Sequence, residues 1–355
     1  MCNSDAMTTI SNLIDKADKE THLVLMPIDR LNLENVRYLL DDVVLIPKSS
    51  LNFDSYRVIY TPEYWENQLS RKKSINLGQF GSMALRIGIE DFEKSDLIAF
   101  LYRFDFQKIY NSTADEVNAL IRSAQEFADS ILDLIRFEYC RSDLPDTLPG
   151  RPGHIQSKIG TSALFALDKE NGESGIIAGR YLTTVVSAGI GLDMDGVYIR
   201  RVVNFEGEVG IIVKRALEMY RNVLESNSLS QKVISLFNLF EFLGHPDGYK
   251  NMQQIKGNVL IHSSRTKEDY HKKSERIKYL TKEIEGDSQS GLRTKLVHSG
   301  IRFEDIFINF EEQKKILLEL SLYCGSAIQF LIDNSHLDFS KVDLLRSDMK
   351  KKIGV

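Results

Sequence analysis

"GIIVKRALEMYRNVLES" (residues 210–226) and, two residues on, "LSQKVISLFNLFEFLG" (residues 229–244) divide this chain into two kinds of sequence. In both segments apolar residues return every third or fourth position, the spacing that lines one side of an α-helix. Gly244 ends the second in the manner of a helix terminator. Downstream the pattern stays helical. "KEDYHKKSERIKYLTKEI" (267–284) reads as a charged helix, and Asn309 with Glu312 forms a capping pattern that opens the most apolar helix, 311–334. Residues 206–340 are therefore expected to form an antiparallel helical bundle, followed by a basic, frayed tail over 341–355.

Upstream the pattern differs. Short apolar or β-branched runs at 22–28, 43–48 and 56–60 read as strands. Runs at 162–167 and 180–190 flank "DKENGESG" (168–175), turn chemistry that suggests a long hairpin. Thr113 and Glu116 form a capping box ahead of a helical run that ends before the Pro- and Gly-containing segment 143–154. The fold class expected is α+β: a mixed α/β domain over residues 1–205, then an all-helical bundle.

Composition narrows the function. The chain has 355 residues, a formal net charge of −5 and 43% hydrophobic residues, so a sizeable core is expected and any polyanion site must be a local patch. Three cysteines, Cys2, Cys140 and Cys324, share no short spacing, which argues against a disulfide framework or zinc knuckle and for a reducing compartment. The N-terminus lacks the basic and apolar regions of a signal peptide, and no uncharged apolar run of roughly eighteen residues occurs. A cytoplasmic protein with no membrane partner is the expectation.

The chemistry concentrates in "GLRTKLVHSG" (291–300), where Arg293 and His298 stand five apart. On a continuous helix five positions leave two side chains roughly 140° apart. The flanking Gly291 and Gly300 suggest a loop entering a short helical turn, which would converge them. A guanidinium forks onto phosphate oxygens, and an imidazole moves protons near neutrality. On spacing alone, a solvated helix start is the commoner meaning of such a pair.

The segment "LRTKLVHSG", set before the last apolar helix of a bundle, resembles the HEPN superfamily and looks most like its Apea-like branch from bacterial defence proteins. That family carries an arginine, four to six residues and a histidine, matched here by Arg293 and His298; "SLFNLFEFLG" (235–244) looks like its upstream acidic helix. The likeness is confined to the C-terminal part of the chain. Thr294 stands where the family often has Asn, Asp or His, and Gly300 where its toxin branch has a tyrosine.

The resemblance implies a metal-independent endoribonuclease with no cofactor, acting in antiviral defence or as a toxin and pairing two bundles in a homodimer. His298 is then the general acid–base and Arg293 the charge stabiliser. Glu241, which the wheel places beside Ile234 and Phe237 on the apolar side of its helix, is either their orienting group, or a structural salt bridge or a residue that a slight rotation brings to water, and Thr294 supports the pair. Lys295, Lys272, Lys273 and Arg276 are the expected RNA contacts. The first 205 residues would receive a trigger or inhibitor protein. The rival expectation is a non-catalytic HEPN scaffold that binds RNA, nucleotide or a partner. Arg265 and His271 share the family spacing within the charged helix, where His271 reads as a solvated residue. His154, Trp65 and "GLDMDG" (191–196) carry no chemistry by default.

Overall fold

The computed structural model describes residues 2–53, 74–80, 83–144, 147–155, 162–179, 190–194, 205–246, 252–282 and 291–355. The expected strand at 56–60, most of 180–190, and Trp65 lie outside the described residues. The chain divides into two compact units, one of Met1–Ile135 with Asp146–Val203 and the other of Arg136–Pro145 with Asn204–Val355.

The first unit carries α1 (Cys2–Lys16), β1 (Thr21–Ile28), β2 (Leu31–Asn32), β3 (Arg37–Leu40), β4 (Val43–Ile46), β5 (Ser74–Phe80), β6 (Met83–Gly88), α2 (Ile89–Glu93), β7 (Asp96–Arg103), most of α3 (Ala114–Tyr139), β8 (Ser162–Asp168), β9 (Glu173–Gly179) and β10 (Leu192–Asp193). Six strands form one sheet in the order β3-β4-β7-β1-β8-β9, every neighbouring pair antiparallel. From His22 onward β1 is buried throughout, without the alternation of a half-exposed strand, because both faces of the sheet are covered. Leu23 and Leu25 join Ala6, Ile10 and Leu13 of α1 in one core. On the other face Phe100 meets Phe127 of α3 at 5.2 Å between ring centroids. Thr113 and Glu116 make the expected capping box: the Thr113 N–H donates to the Glu116 carboxylate at 2.7 Å, and the Glu116 N–H to the Thr113 hydroxyl at 3.3 Å.

The hairpin after β8 differs from expectation. Its second strand is β9, pairing Asp168 with Glu173, so the turn is only residues 169–172, closed by Gly172 at φ +63°. His154 is buried, its Nε2 3.7 Å from the Asp29 carboxylate.

The second unit is helical: α4 (Gly207–Glu225), α5 (Leu229–Gly244), α6 (Met252–Leu260), α7 (Lys267–Lys282), α8 (Leu292–Val297), α9 (Phe303–Ile306), α10 (Phe310–Asp333) and α11 (Phe339–Ile353). Ser228 caps α5 by accepting the Gln231 N–H, and Asn309 caps α10 by accepting that of Glu311. Helix α5 is the hub, packing against α4, α6, α8, α9 and α10. Gly244 admits α6, since a Cβ there would lie 2.7 Å from the Ile255 side chain. By length and composition α10 could cross a membrane, but here it buries Ile316, Leu317, Leu320, Cys324, Ile328 and Leu331, as the core helix of a bundle does.

The segment 136–144 is tied into this unit. Lys232 of α5, almost fully buried, donates to the Ser142 carbonyl at 2.6 Å, and Ser142 and Ser321 share a hydroxyl bond of 2.9 Å. Burial lowers the Lys232 pKa, opposed by the charge of Asp143.

The tail expected to fray is instead α11, a helix through Ile353 closed by Gly354 at φ +78°. Tertiary contact sets it: Arg346, 1% exposed, donates to the Leu243 carbonyl at 2.9 Å and to His262 Nε2 at 3.3 Å. His262 stacks on Phe330 at 4.1 Å. Burial first, then the Arg346 and Lys350 charges, push its pKa from 6.5 down to about 3.

The fold thus requires neutral His262. Its contribution is complete above pH 6.5 and is lost as pH falls from there toward 3, because the unfolded chain takes a proton that the folded one refuses. Stability should fall by about 1.4 kcal/mol per pH unit in that window, and His262→Gln should remove this component. Denaturant midpoints between pH 7 and 4 measure it; parallel profiles for the two proteins would exclude His262 as the source.

Candidate functional site

Helix α8 presents one apolar side to the bundle. Leu292 and Leu296, four apart, are both buried, and the helix rests on α5 and α7. Gly291 begins it without a side-chain cap. It ends as the Ser299 N–H turns back to the Thr294 carbonyl at 3.3 Å and the Ile301 N–H to that of Lys295 at 3.1 Å. Gly300 sits between them at φ +64°, with open space around the position of a Cβ. Its backbone conformation, not a close approach, is what favours glycine there.

Arg293 follows the buried Leu292 and reaches α5. Its Nη2 donates to Glu241 Oε2 at 3.1 Å, with the two side chains 37% and 28% exposed. Its Nε is buried and meets no acceptor among the described residues. Glu241 therefore holds the guanidinium by one edge and leaves a donor over. Burial raises the Glu241 pKa, and the Arg293 charge opposes that rise.

His298 is the C-cap of α8, still in right-handed helical conformation at φ −97°, ψ −33°. The short helical turn expected to follow Gly291 is present as α8. Helix geometry runs unbroken from Leu292, so the two side chains diverge by roughly 140°, and no hydrogen bond joins them among the described residues. His298 is exposed. Thr294 and Lys295 are half-buried between them.

Of the expected RNA contacts, Arg276 and Lys273 bond within the bundle. Arg276 Nε donates to Glu319 Oε2 at 3.0 Å, with the Tyr323 hydroxyl donating to the other carboxylate oxygen at 2.7 Å. Lys273 donates to the Ser263 carbonyl and, at 2.8 Å, to Asp269. Lys272 is exposed. His271 is also exposed, edge-on to Tyr270. Sequence reading passed over the apolar side chains that surround His298 along the chain: Val297, Ile301, Ile308 at 90% exposure and Phe310 at 65%. Among the described residues no group of three or more His, Cys, Asp or Glu could hold a metal ion.

No protein-family model matches the sequence, and no curated protein or solved structure is significantly similar to the chain.

The raised Glu241 pKa has a sign that can be tested. The fold favours the protonated carboxyl, so this contribution is complete below the ordinary value of 4.5 and is lost as pH rises through the raised one. Glu241→Gln should flatten the stability profile across that range while its amide oxygen still accepts from Arg293. Glu241→Leu strands the guanidinium and should cost about 1–3 kcal/mol at pH 7. Glu268→Gln on exposed α7 is the control. Chemical denaturation of the three variants decides: equal, negligible effects would mean that Glu241 and Arg293 do not interact in solution.

Proposed function

We propose that the helical unit is a HEPN-type, metal-independent endoribonuclease that works as a homodimer in antiviral defence or as a toxin, with the first unit receiving the trigger or inhibitor. The observation that carries this reading is the Glu241–Arg293 pair. A carboxylate from the neighbouring helix fixes an arginine whose Nε is still unspent, five residues before an exposed histidine. That is the arrangement a phosphodiester cleaver needs: a preorganised cation for the phosphoryl oxygens and a proton carrier within the same short segment.

In the reaction the ribose 2′-hydroxyl attacks the adjacent phosphorus as its proton leaves to a base. A 2′,3′-cyclic phosphate forms, and the 5′-oxygen departs with a proton. His298 serves as the proton carrier. Arg293 supports the negative charge that grows on the phosphoryl oxygens. Because α8 points the two side chains apart, the complete site draws on a second copy of the bundle, and the exposed Val297, Ile301, Ile308 and Phe310 give that copy apolar surface to cover. The same divergence favours the rival reading, a scaffold that binds RNA without cutting it.

Labelled single-stranded RNA incubated with purified protein in excess chelator separates the two. Cleavage with a cyclic phosphate end is expected. His298→Ala and Arg293→Ala should each reduce the rate by about a hundredfold to ten-thousandfold, and His271→Ala should not. DNA should resist, lacking the 2′-hydroxyl. Binding without cleavage establishes the scaffold, and a monomer in light scattering that still cleaves refutes the shared site.

A further inference from the structure

We infer that a cavity at the edge of the first unit is a binding site for the base of a small, nucleoside-class ligand. It lies between α1 and the hairpin of β3 and β4. All of it belongs to the first unit, so it stands whether or not the helical unit cuts RNA.

Helix α1 turns Ala6, Ile10 and Leu13 into the core. Thr9, Asn12 and Lys16, three and four positions apart, follow one flank of the helix. That flank is tied to the hairpin at two levels. Thr9 and Tyr38 share a hydroxyl bond of 2.9 Å. Lys16 Nζ donates at 2.7 Å to the carbonyl of Asp41, in the turn between β3 and β4. Asn12 stands between the two ties along the helix. Here the chain encloses a cavity of about 360 Å³, whose walls include Thr9 and Asn12 from α1 and Asn35, Val36, Tyr38 and Pro47 from the hairpin and its approaches. That volume is at the small end of the roughly 300–1,000 Å³ in which small ligands are held.

The chemistry of the walls defines what fits. The bond to Thr9 fixes the Tyr38 hydroxyl, yet Tyr38 stays 57% exposed, so a tethered aromatic ring is left largely uncovered. Such a ring is a platform on which a flat base stacks. Asn12 and Asn35 spend their side-chain amides on no hydrogen bond among the described residues. An amide carries a donor and an acceptor side by side, the pattern that pairs twofold with the edge of a base. Asparagine is also a poor helix former. Asn12, in the middle of α1, therefore weakens the helix and gains no side-chain bond within the described fold; a ligand accounts for it. Among the described residues that line the cavity there is no carboxylate, ammonium, guanidinium or imidazole, so a charged group entering would lose water without meeting a counter-charge. The part of the ligand that enters is uncharged and planar, with donors and acceptors along its edge. A nucleobase has those properties.

The test adds adenosine to the full chain and follows binding by calorimetry and by saturation transfer to the ligand protons in NMR. Binding should saturate, and the base protons should take up more saturation than the ribose protons. Asn12→Ala and Asn35→Ala should each weaken binding on the order of tenfold. Tyr38→Ala should weaken it at least as much, whereas Tyr38→Phe keeps the stacking ring and should retain most of the affinity. Asn12→Ala puts a good helix former in place of a poor one, so its thermal midpoint should not fall, which separates a lost contact from a lost fold. Absence of adenosine binding overturns the site, as does binding that every one of these variants leaves intact. Displacement of adenosine by glucose overturns it in favour of a sugar site, and displacement by millimolar inorganic phosphate in favour of an anion site. A 2′-O-methyl oligoadenylate that displaces adenosine at far lower concentration than adenosine itself overturns the small-ligand assignment in favour of a strand.

Discussion

The burial of α5 constrains the helical unit more than any other feature. Leu236, Leu239, Phe240 and Leu243 are inaccessible or nearly so, and burying each such side chain is worth about 1.5–3 kcal/mol. Helices α4, α6, α8, α9 and α10 pack on this one and α11 bonds to its last turn, so its rotation about its axis is not free. That rotation places Lys232 and Glu241, two turns and a half apart, at the polar margins of an apolar cylinder. Glu241 meets Arg293 because α8 can seat Leu292 and Leu296 on the same helix. The arginine's position is a by-product of hydrophobic packing, which is stiffer than any salt bridge could make it.

Local signals made much of this legible. Leu229 as the start of α5, Lys267 as the start of α7, and the caps at Thr113 and Asn309 are short-range chemistry, and each stands in the structure where the sequence puts it. Glu241 was legible for a related reason: it falls on the wheel beside Ile234 and Phe237, where a carboxylate needs either a partner or a path to water.

What escaped depends on tertiary context. "DLIAFLYR", now β7, is buried along most of its length and so lacks the alternation that marks a strand. The start of β9, "ESG", looks like a turn until β8 pairs with it. The tail 341–355 is too charged to announce a core helix, and α11 owes its order to Arg346 reaching a backbone carbonyl on α5. Whether Arg293 and His298 would converge turned on the conformation of the four residues between them. Thr294 to Val297 prefer a continuous turn once Leu292 and Leu296 are buried together.

The segment 136–144 makes the boundary of the helical unit in space different from its boundary along the chain. Lys232 is buried with an ammonium that takes the Ser142 carbonyl. A fragment beginning at residue 205 would keep every helix from α4 onward and still leave that ammonium facing an empty slot, with Ser321 deprived of its partner as well. Anyone isolating the bundle must therefore carry these residues along, as a tethered peptide or by starting upstream. The unit of folding begins some seventy residues before the unit of sequence pattern.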